Sequence, residues 1–423
     1  MGRSLLNGLL PVINGLNKTM LFFDSHIHIG EFTAKMSQET EKLLAYRCYS
    51  KNSADICIKK ALTHSIIRAV VFPFPIMEVP FSRQNDYVIN ASRRYPYFYI
   101  PFLLPEDTDS LRKREHEFVG IKDHFYFDFH EQVKRPELFE YLQEVGKYYI
   151  FHAHFKKWNE RISFLTKNFP KLKVIIAHSG RPAPFHGIDM KSRIDDFKSI
   201  IPRSLRNNYY FETSTIRDSR ALEDLVASFG AEQVLFGSDY PYYAEEGEDV
   251  FAIEQRIVMQ SKIGDEDKLK ICSLNFKRLF QGDKIWIRRA TADDSTALLN
   301  MLKDVSRLEQ KYLALSLKLP LIRSQMKVGK HIFVAETPSG EVVGFLRESD
   351  RHNDTIMIEE VYVVPKARGK KVASLLVASA CGAHKCALVK TYSENLGMNT
   401  VLTRLAFTPI YSPKGTMISW NKS

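Results

Sequence analysis

Between residues 20 and 281 the chain alternates short, continuous apolar runs with amphipathic stretches. The runs are MLFFDSHIH (20–28), RAVVFPF (68–74), YFYIPFLL (97–104), FVGIKDHF (118–125), YYIFHAHF (148–155), KVIIAHSG (173–180), NYYFETST (208–215) and QVLFGSDYP (233–241). Unbroken apolar character, in place of in/out alternation, predicts strands buried on both faces, as in a parallel sheet. Between them, SADICIKKALTHSI, RPELFEYLQEVGK, NERISFLTKNFP and SRALEDLVASFG carry helical periodicity. Eight strand–helix units in roughly 260 residues predict a (β/α)8 TIM barrel.

The rhythm changes after NFKRLFQGDK. KIWIRRATADDSTALLNML reads as strand then helix, with Asp293 or Asp294 at the helix start, where an acidic side chain complements the dipole. HIFVAETPSGEVVGFLRESDRHNDTIMIEEVYVVP reads as strands joined by turns, punctuated at Pro338-Ser339-Gly340. A basic loop, KARGKK, and a helix, VASLLVASACGAH, follow. The chain therefore divides into an N-terminal segment (1–18), an α/β barrel (19–282) and a smaller α+β domain (283–423).

Polar residues gather at one end of the apolar runs. In a barrel, chemistry sits at the carboxyl ends of the strands. Here the first strand ends in Asp24, His26 and His28, the fourth in Lys122 and His124, the fifth in His152 and His154, the sixth in His178 and the eighth in Asp239. Residues two apart on a strand point the same way, so His26 and His28 share a face. Spacing alone is weak support: 13 histidines among 423 residues give roughly 0.4 His-x-His pairs by chance, and the chain has two. The rim position is the stronger signal. Imidazoles and a carboxylate brought together from separate strands are what a first-row divalent metal with nitrogen and oxygen ligands requires.

Composition narrows the class. Five scattered cysteines without a Cys-x-x-Cys speak against a disulfide framework and for a reducing, cytoplasmic setting. No apolar run reaches the ~18–20 residues that span a bilayer, and the N-terminal segment, interrupted by Asn7, Gly8, Pro11 and Asn14, reads as a peripheral piece packing under the barrel. Of the formal charge of +11, residues 284–423 carry +9 (21 basic against 12 acidic). So local an excess suits a phosphate-bearing ligand of the second domain and no nucleic-acid-coating role. The expected partners are small molecules, with room for a homo-oligomer.

Residues 20–281 resemble the amidohydrolase superfamily, in the branch of aminocarboxymuconate semialdehyde decarboxylase. The resemblance rests on DSHIH, YYIFHAHF, FPKLKVIIAHSG, VLFGSDYP and the closing helix KLKICSLNFKRLF. It implies one divalent metal, zinc, on His26, His28, His152 and Asp239, with His178 beside it as base or acid. Asp239 would both ligate and handle a proton. Lys122, His154 and Arg181 would be substrate contacts.

Residues 284–421 resemble the Gcn5-related N-acetyltransferases (GNAT). The similarity lies in IRRATADDSTALLNML, IEEVYVVPKARGKKVASLLV and ENLGMNTVLTRLAFTPIY. It implies an acetyl-CoA site on Val361, Val363, Arg368, Gly369, Lys370, Lys371, Val372, Ala373 and Asn395. Backbone N–H groups and a helix N-terminus would face the pyrophosphate, and Glu359 or Glu360 would be the base. Two departures stand out: Lys371 replaces a glycine of the loop pattern, and Leu402 replaces a tyrosine that often protonates the leaving thiolate. The expectation is a bifunctional enzyme, a metal-dependent hydrolase of an amide, lactone or related bond fused to an acetyl-CoA-dependent N-acyltransferase. The alternative is a metal-dependent decarboxylase with a non-catalytic CoA-binding or structural second domain.

Overall fold

In the computed structural model the described residues are 20–30, 52–76, 78–124, 136–153, 158–181, 190–242, 249–303, 332–351, 354–382, 384, 386–411 and 417–422. The N-terminal segment 1–18 and His154 lie outside them. The first domain runs β1 (Phe22–Ile29), α1 (Ala54–Thr63), β2 (Ile66–Pro73), α2 (Phe81–Arg94), β3 (Tyr99–Leu103), α3 (Thr108–Lys113), β4 (Gly120–Asp123), α4 (Pro136–Glu144) and β5 (Tyr148–His152). It continues through α5 (Trp158–Asn168), β6 (Lys173–Ala177), α6 (Met190–Ile200), β7 (Tyr209–Glu212), α7 (Ser219–Phe229) and β8 (Val234–Leu235). Helices α8 (Val250–Gln260), α9 (Asp265–Leu269) and α10 (Asn275–Phe280) close it, the last two joined by a π turn at Lys270–Leu274.

The eight strands pair in sequence order, all in parallel. The ring closes past the short β8. Ile27 bridges Tyr240, Ser25 N–H donates to Phe236 O, Asp239 N–H to His26 O and His28 N–H to Tyr240 O, each at 2.8 Å. Continuous apolar sequence thus becomes strands buried on both faces, as expected. The barrel lumen is packed, not hollow: a Cβ on Gly120 would lie 2.2 Å from the Phe102 ring, so glycine at the start of β4 makes space for that ring. Helix starts follow local chemistry. Ser53, Asp107, Asp218 and Asp249 cap α1, α3, α7 and α8 through their side-chain oxygens.

The second domain is a seven-stranded sheet in the order β14-β15-β13-β12-β11-β10-β9. Its elements are β9 (Trp286–Arg289), α11 (Ser295–Lys303), β10 (Ile332–Glu336), β11 (Val342–Arg351), β12 (Thr355–Val363), α12 (Val372–Gly382), β13 (Cys386–Tyr392), α13 (Leu396–Arg404), β14 (Thr408–Tyr411) and β15 (Met417–Lys422). Only β12 and β13 pair in parallel; the other pairs are antiparallel.

This sheet sits on the amino-terminal end of the barrel. Trp286 packs on Phe23 of β1 and Phe276 of α10, each at 6.1 Å between ring centroids. Arg68, at the start of β2, lies over the Trp286 ring at 4.1 Å and donates to Tyr97 O, Pro96 O and, across the seam, Ile287 O (3.2, 2.9 and 3.1 Å). A chain of charge crosses the same seam. Lys277 meets Glu336, which holds Arg288, which in turn grips Asp294 in the capping box of the 3-10 turn (Ala292–Asp294) that leads into α11. A Cβ on Gly382 would stand 2.5 Å from Arg94 O, so the end of α12 reaches the end of α2 at backbone contact.

Replacing Arg68 by Leu strands buried carbonyls on both sides of the seam. The expected loss is ~2–4 kcal/mol, visible as a lower thermal midpoint and faster proteolysis between the domains. An unchanged midpoint would show that the seam does not depend on this side chain.

Candidate metal centre and acyl-CoA cleft

His26 and His28 leave β1 on one side, buried to within 1 % of total exclusion. Each ring has a fixed outer contact. His28 Nδ1 lies 3.0 Å from Pro73 O, and His26 Nδ1 lies 3.0 Å from Glu212 Oε1. A carbonyl and a carboxylate accept only, so both Nδ1 atoms carry hydrogen and both Nε2 atoms present lone pairs. Those lone pairs meet at 3.2 Å. Asp239 Oδ1 stands 3.3 Å from His26 Nε2 and 3.5 Å from His28 Nε2. Three electron-pair donors therefore crowd one buried point.

Burial governs their charge. It drives the His26 pKa well below the usual range, helped by the nearby Lys122 ammonium and by His28, and it brings His28 to about 3, with Lys122 adding to the effect. Both rings are neutral at neutral pH, the state a metal needs. Burial also pushes Asp239 well above the ordinary carboxylate range, with Lys122 opposing, and pulls Lys122 down to about 7, against the attraction of Asp239 and Glu212. Lys122 Nζ lies 3.4 Å from His26 Nε2. One proton, on Asp239 or on Lys122, satisfies one contact of the cluster; a divalent cation satisfies all three at once. The donor set fits a metal of the nitrogen- and oxygen-binding class.

His152 closes β5 and stands with His26 and His178 in a second group of donors lying within 4.8 Å of one another. The ring centroids of His152 and His178 are 4.7 Å apart, those of His152 and His26 6.2 Å. His26 thus belongs to both groups. His124 packs on His152 at 4.5 Å. The Arg181 guanidinium donates to the backbone oxygens of Thr215 and Ile216, latching the loop after β7.

Among the described residues that follow the strands at this rim, His178 (φ 56°), Ser179 (φ 48°), Thr215 (φ 60°), Arg217 (φ 56°) and Asp239 (φ 58°) take left-handed backbone conformations without being glycine. Each conformation costs about 1 kcal/mol or more. The turns at His178 and Asp239 come directly after the apolar runs, so the chain reverses at the rim and both side chains stay near the axis. The residue that sequence reasoning passed over is Glu212, wholly buried at the end of β7. Besides His26 it receives the backbone N–H of His178. A Cβ on Gly237 would lie 2.3 Å from Glu212 Oε2, so the glycine of LFGSD provides the space this carboxylate fills. The signal was present: Glu212 ends a strand at the same rim that singled out Asp239.

In the second domain β12 and β13 pair from Thr355↔Cys386 to Ile358↔Val389 and then part. The β11–β12 register shifts at the same level: Glu348 pairs with Ile358 and Arg347 with Glu360, so Glu359 is the extra residue of a bulge. The opening is a cleft of about 470 Å³ lined by Glu359, Glu360, Val361, Val363, Arg368, Gly369, Lys371, Val372, Ala373, Tyr392 and Asn395. Lys370 is exposed in the same loop. Asn395 caps α13, accepting from Met398 N–H. Glu360 is buried and accepts from Arg347 Nε at 2.9 Å, whereas Glu359 accepts from Ser349 Oγ at 2.5 Å. Leu402 is fully buried, and Lys371 adopts φ 63°, the conformation a glycine takes without strain.

Comparison with known proteins agrees with both halves. Residues 75–282 match the family model described as amidohydrolase, and residues 328–407 match that of the acetyltransferase (GNAT) domain. The chain joins an amidohydrolase-type barrel to a GNAT domain. Both matches are to enzyme families. The amidohydrolase match begins past β1, so His26 and His28 rest on the geometry above. Among solved structures, the chain is similar to a probable 2-pyrone-4,6-dicarboxylic acid hydrolase from Acinetobacter baumannii (16% identity over 62% of this chain and 100% of that one, TM-score 0.49). It is also similar to 2,6-dihydroxybenzoate decarboxylase from Rhizobium (17%, 62% and 99%, 0.46). A third likeness is 5-carboxyvanillate decarboxylase from Novosphingobium aromaticivorans, solved with manganese (14%, 62% and 96%, 0.45).

Gly237→Ala in the amidohydrolase barrel displaces the Glu212 carboxylate and with it the anchor of His26. Metal affinity should fall about 10–100-fold, measured by competition with a chromophoric chelator. Wild-type affinity in this variant would remove Glu212 from the account of the site.

Proposed function

We propose that the barrel is a divalent-metal hydrolase acting on an amide, lactone or related bond of a small metabolite. His26, His28 and Asp239 hold the ion, His152 completes the set and His178 is the base. The observation that supports this most is the meeting of two fixed imidazole lone pairs and a carboxylate oxygen within 3.5 Å. Zinc is the ion we assign to this nitrogen–oxygen set. A bound ion would supply Lewis acidity. The chain's own residues do the rest: Glu212 and Pro73 O keep the ligand tautomers, His178 accepts and returns a proton, and Lys122 provides a buried positive charge beside the ligands.

We further propose that the GNAT domain binds acetyl-CoA in the cleft between β12 and β13 and transfers the acyl group to an amine. Glu359, the extra residue of the bulge, is the base we assign; it also meets Ser349 and Arg351 (3.6 Å), while Glu360 is buried against Arg347. One reading competes. The strained Lys371 and the buried Leu402 favour a domain that holds CoA without transferring from it.

Two measurements test these readings. Purified chain should carry about one divalent ion by mass spectrometry, and the His26→Ala/His28→Ala double variant should carry none; full metal content in that variant overturns the site. In calorimetry, micromolar acetyl-CoA binding supports the cleft, and no binding refutes it.

Lys371→Gly should raise the thermal midpoint of the GNAT transition, by up to ~1 kcal/mol in stability, whereas Lys371→Ala should not. Equal midpoints for the two variants would show that the left-handed backbone carries no cost.

A further inference from the structure

The carboxylate of Glu212 does more than hold His26. Four donors converge on it. The backbone N–H of His178, His26 Nδ1 (3.0 Å) and Ser214 Oγ (2.9 Å) reach Oε1, and the backbone N–H of Ser214 reaches Oε2 (2.7 Å). Two of the four are backbone N–H groups, one on each oxygen, which can only donate, so the carboxylate serves as the common acceptor of all four. The Ser214 hydroxyl has one proton, and its contact with this carboxylate requires it; two oxygen lone pairs at that distance would repel.

The consequence falls on His178. Its Nδ1 lies 2.7 Å from Ser214 Oγ and 3.5 Å from Glu212 Oε1. Ser214 has only a lone pair left to offer, so Nδ1 must be the donor. We infer that Glu212 and Ser214 are positioning residues that set His178 as the Nδ1–H tautomer and so make Nε2 its basic atom. One carboxylate then governs both halves of the centre: the lone pair that His26 turns to the ligand cluster and the lone pair that His178 turns to the reaction. When His178 takes a proton at Nε2, the charge is stabilised through Nδ1–H, the Ser214 hydroxyl and the carboxylate; no proton passes along this path. The functional consequence rests on His178 being the base proposed above. The tautomer itself does not.

The test is nitrogen NMR of the full-length, metal-free chain labelled at histidine, with His178 assigned by its loss in His178→Gln. The wild-type spectrum should show a protonated Nδ1 and an unprotonated Nε2. Ser214→Ala should shift the balance toward Nε2–H, and Ser214→Thr should restore it. Cobalt(II) titration followed by d–d absorption supplies the second readout. Affinity should stay within about twofold of wild type in Ser214→Ala and fall about 10–100-fold in Glu212→Gln, because of these two residues it is Glu212 that bonds His26 Nδ1. An Nε2–H tautomer in the wild type, or a tautomer unmoved by Ser214→Ala, overturns the inference, and the wild-type spectrum decides even if a variant fails to fold. The inferred tautomer in a chain that takes no cobalt would uphold the relay and refute the metal reading.

Discussion

Everything at the top of this barrel follows from the confinement of unprotonated nitrogens and a carboxylate oxygen in one dry volume. Left alone, such a cluster repels itself; a buried lone pair without a counterpart costs as much as a lost hydrogen bond or more. The surrounding structure nevertheless enforces it from outside. The Pro73 carbonyl and the Glu212 carboxylate hold the far sides of the two rings, and the backbone takes left-handed conformations at His178 and Asp239. Gly237 gives up its side-chain volume to the carboxylate. Strain and unfavourable electrostatics concentrated at one point, and supported by the remainder of the fold, mark a site kept for chemistry and not for stability.

The two domains share a core but not a working face. The ligand cluster lies at the carboxyl ends of the strands, while Trp286, Arg68 and the Lys277–Glu336–Arg288–Asp294 chain join the second sheet to the amino ends. Phe23, on the strand that carries His26 and His28, touches Trp286 at its other end. Among the described residues the interior between the two ends is packed.

The strand order, the parallel sheet and the mixed sheet that follows it were legible because apolar periodicity is set by burial, and burial is what the fold satisfies first. The rim residues were legible for a related reason: a His or Asp at the end of an apolar run has no packing purpose. Arg181 carries a second role that the sequence does not display, latching a loop through backbone oxygens. Glu212 and Ser214 were missed because their importance lies in which protons they receive and donate, a property of three-dimensional convergence from β1, β6 and β7. Lys371 was legible as an anomaly, yet only the backbone shows that it keeps the glycine conformation and bears the strain. The choice between Glu359 and Glu360 likewise depends on a bulge, which leaves Glu359 as the extra residue opposite β11.

The central claim is positional, and anomalous diffraction from crystals of the metal-loaded chain addresses it most directly. Data collected across the absorption edge of the ion should show one strong peak enclosed by His26 Nε2, His28 Nε2 and Asp239 Oδ1. A peak lying away from those three atoms, in a chain shown to contain the ion, would contradict the account.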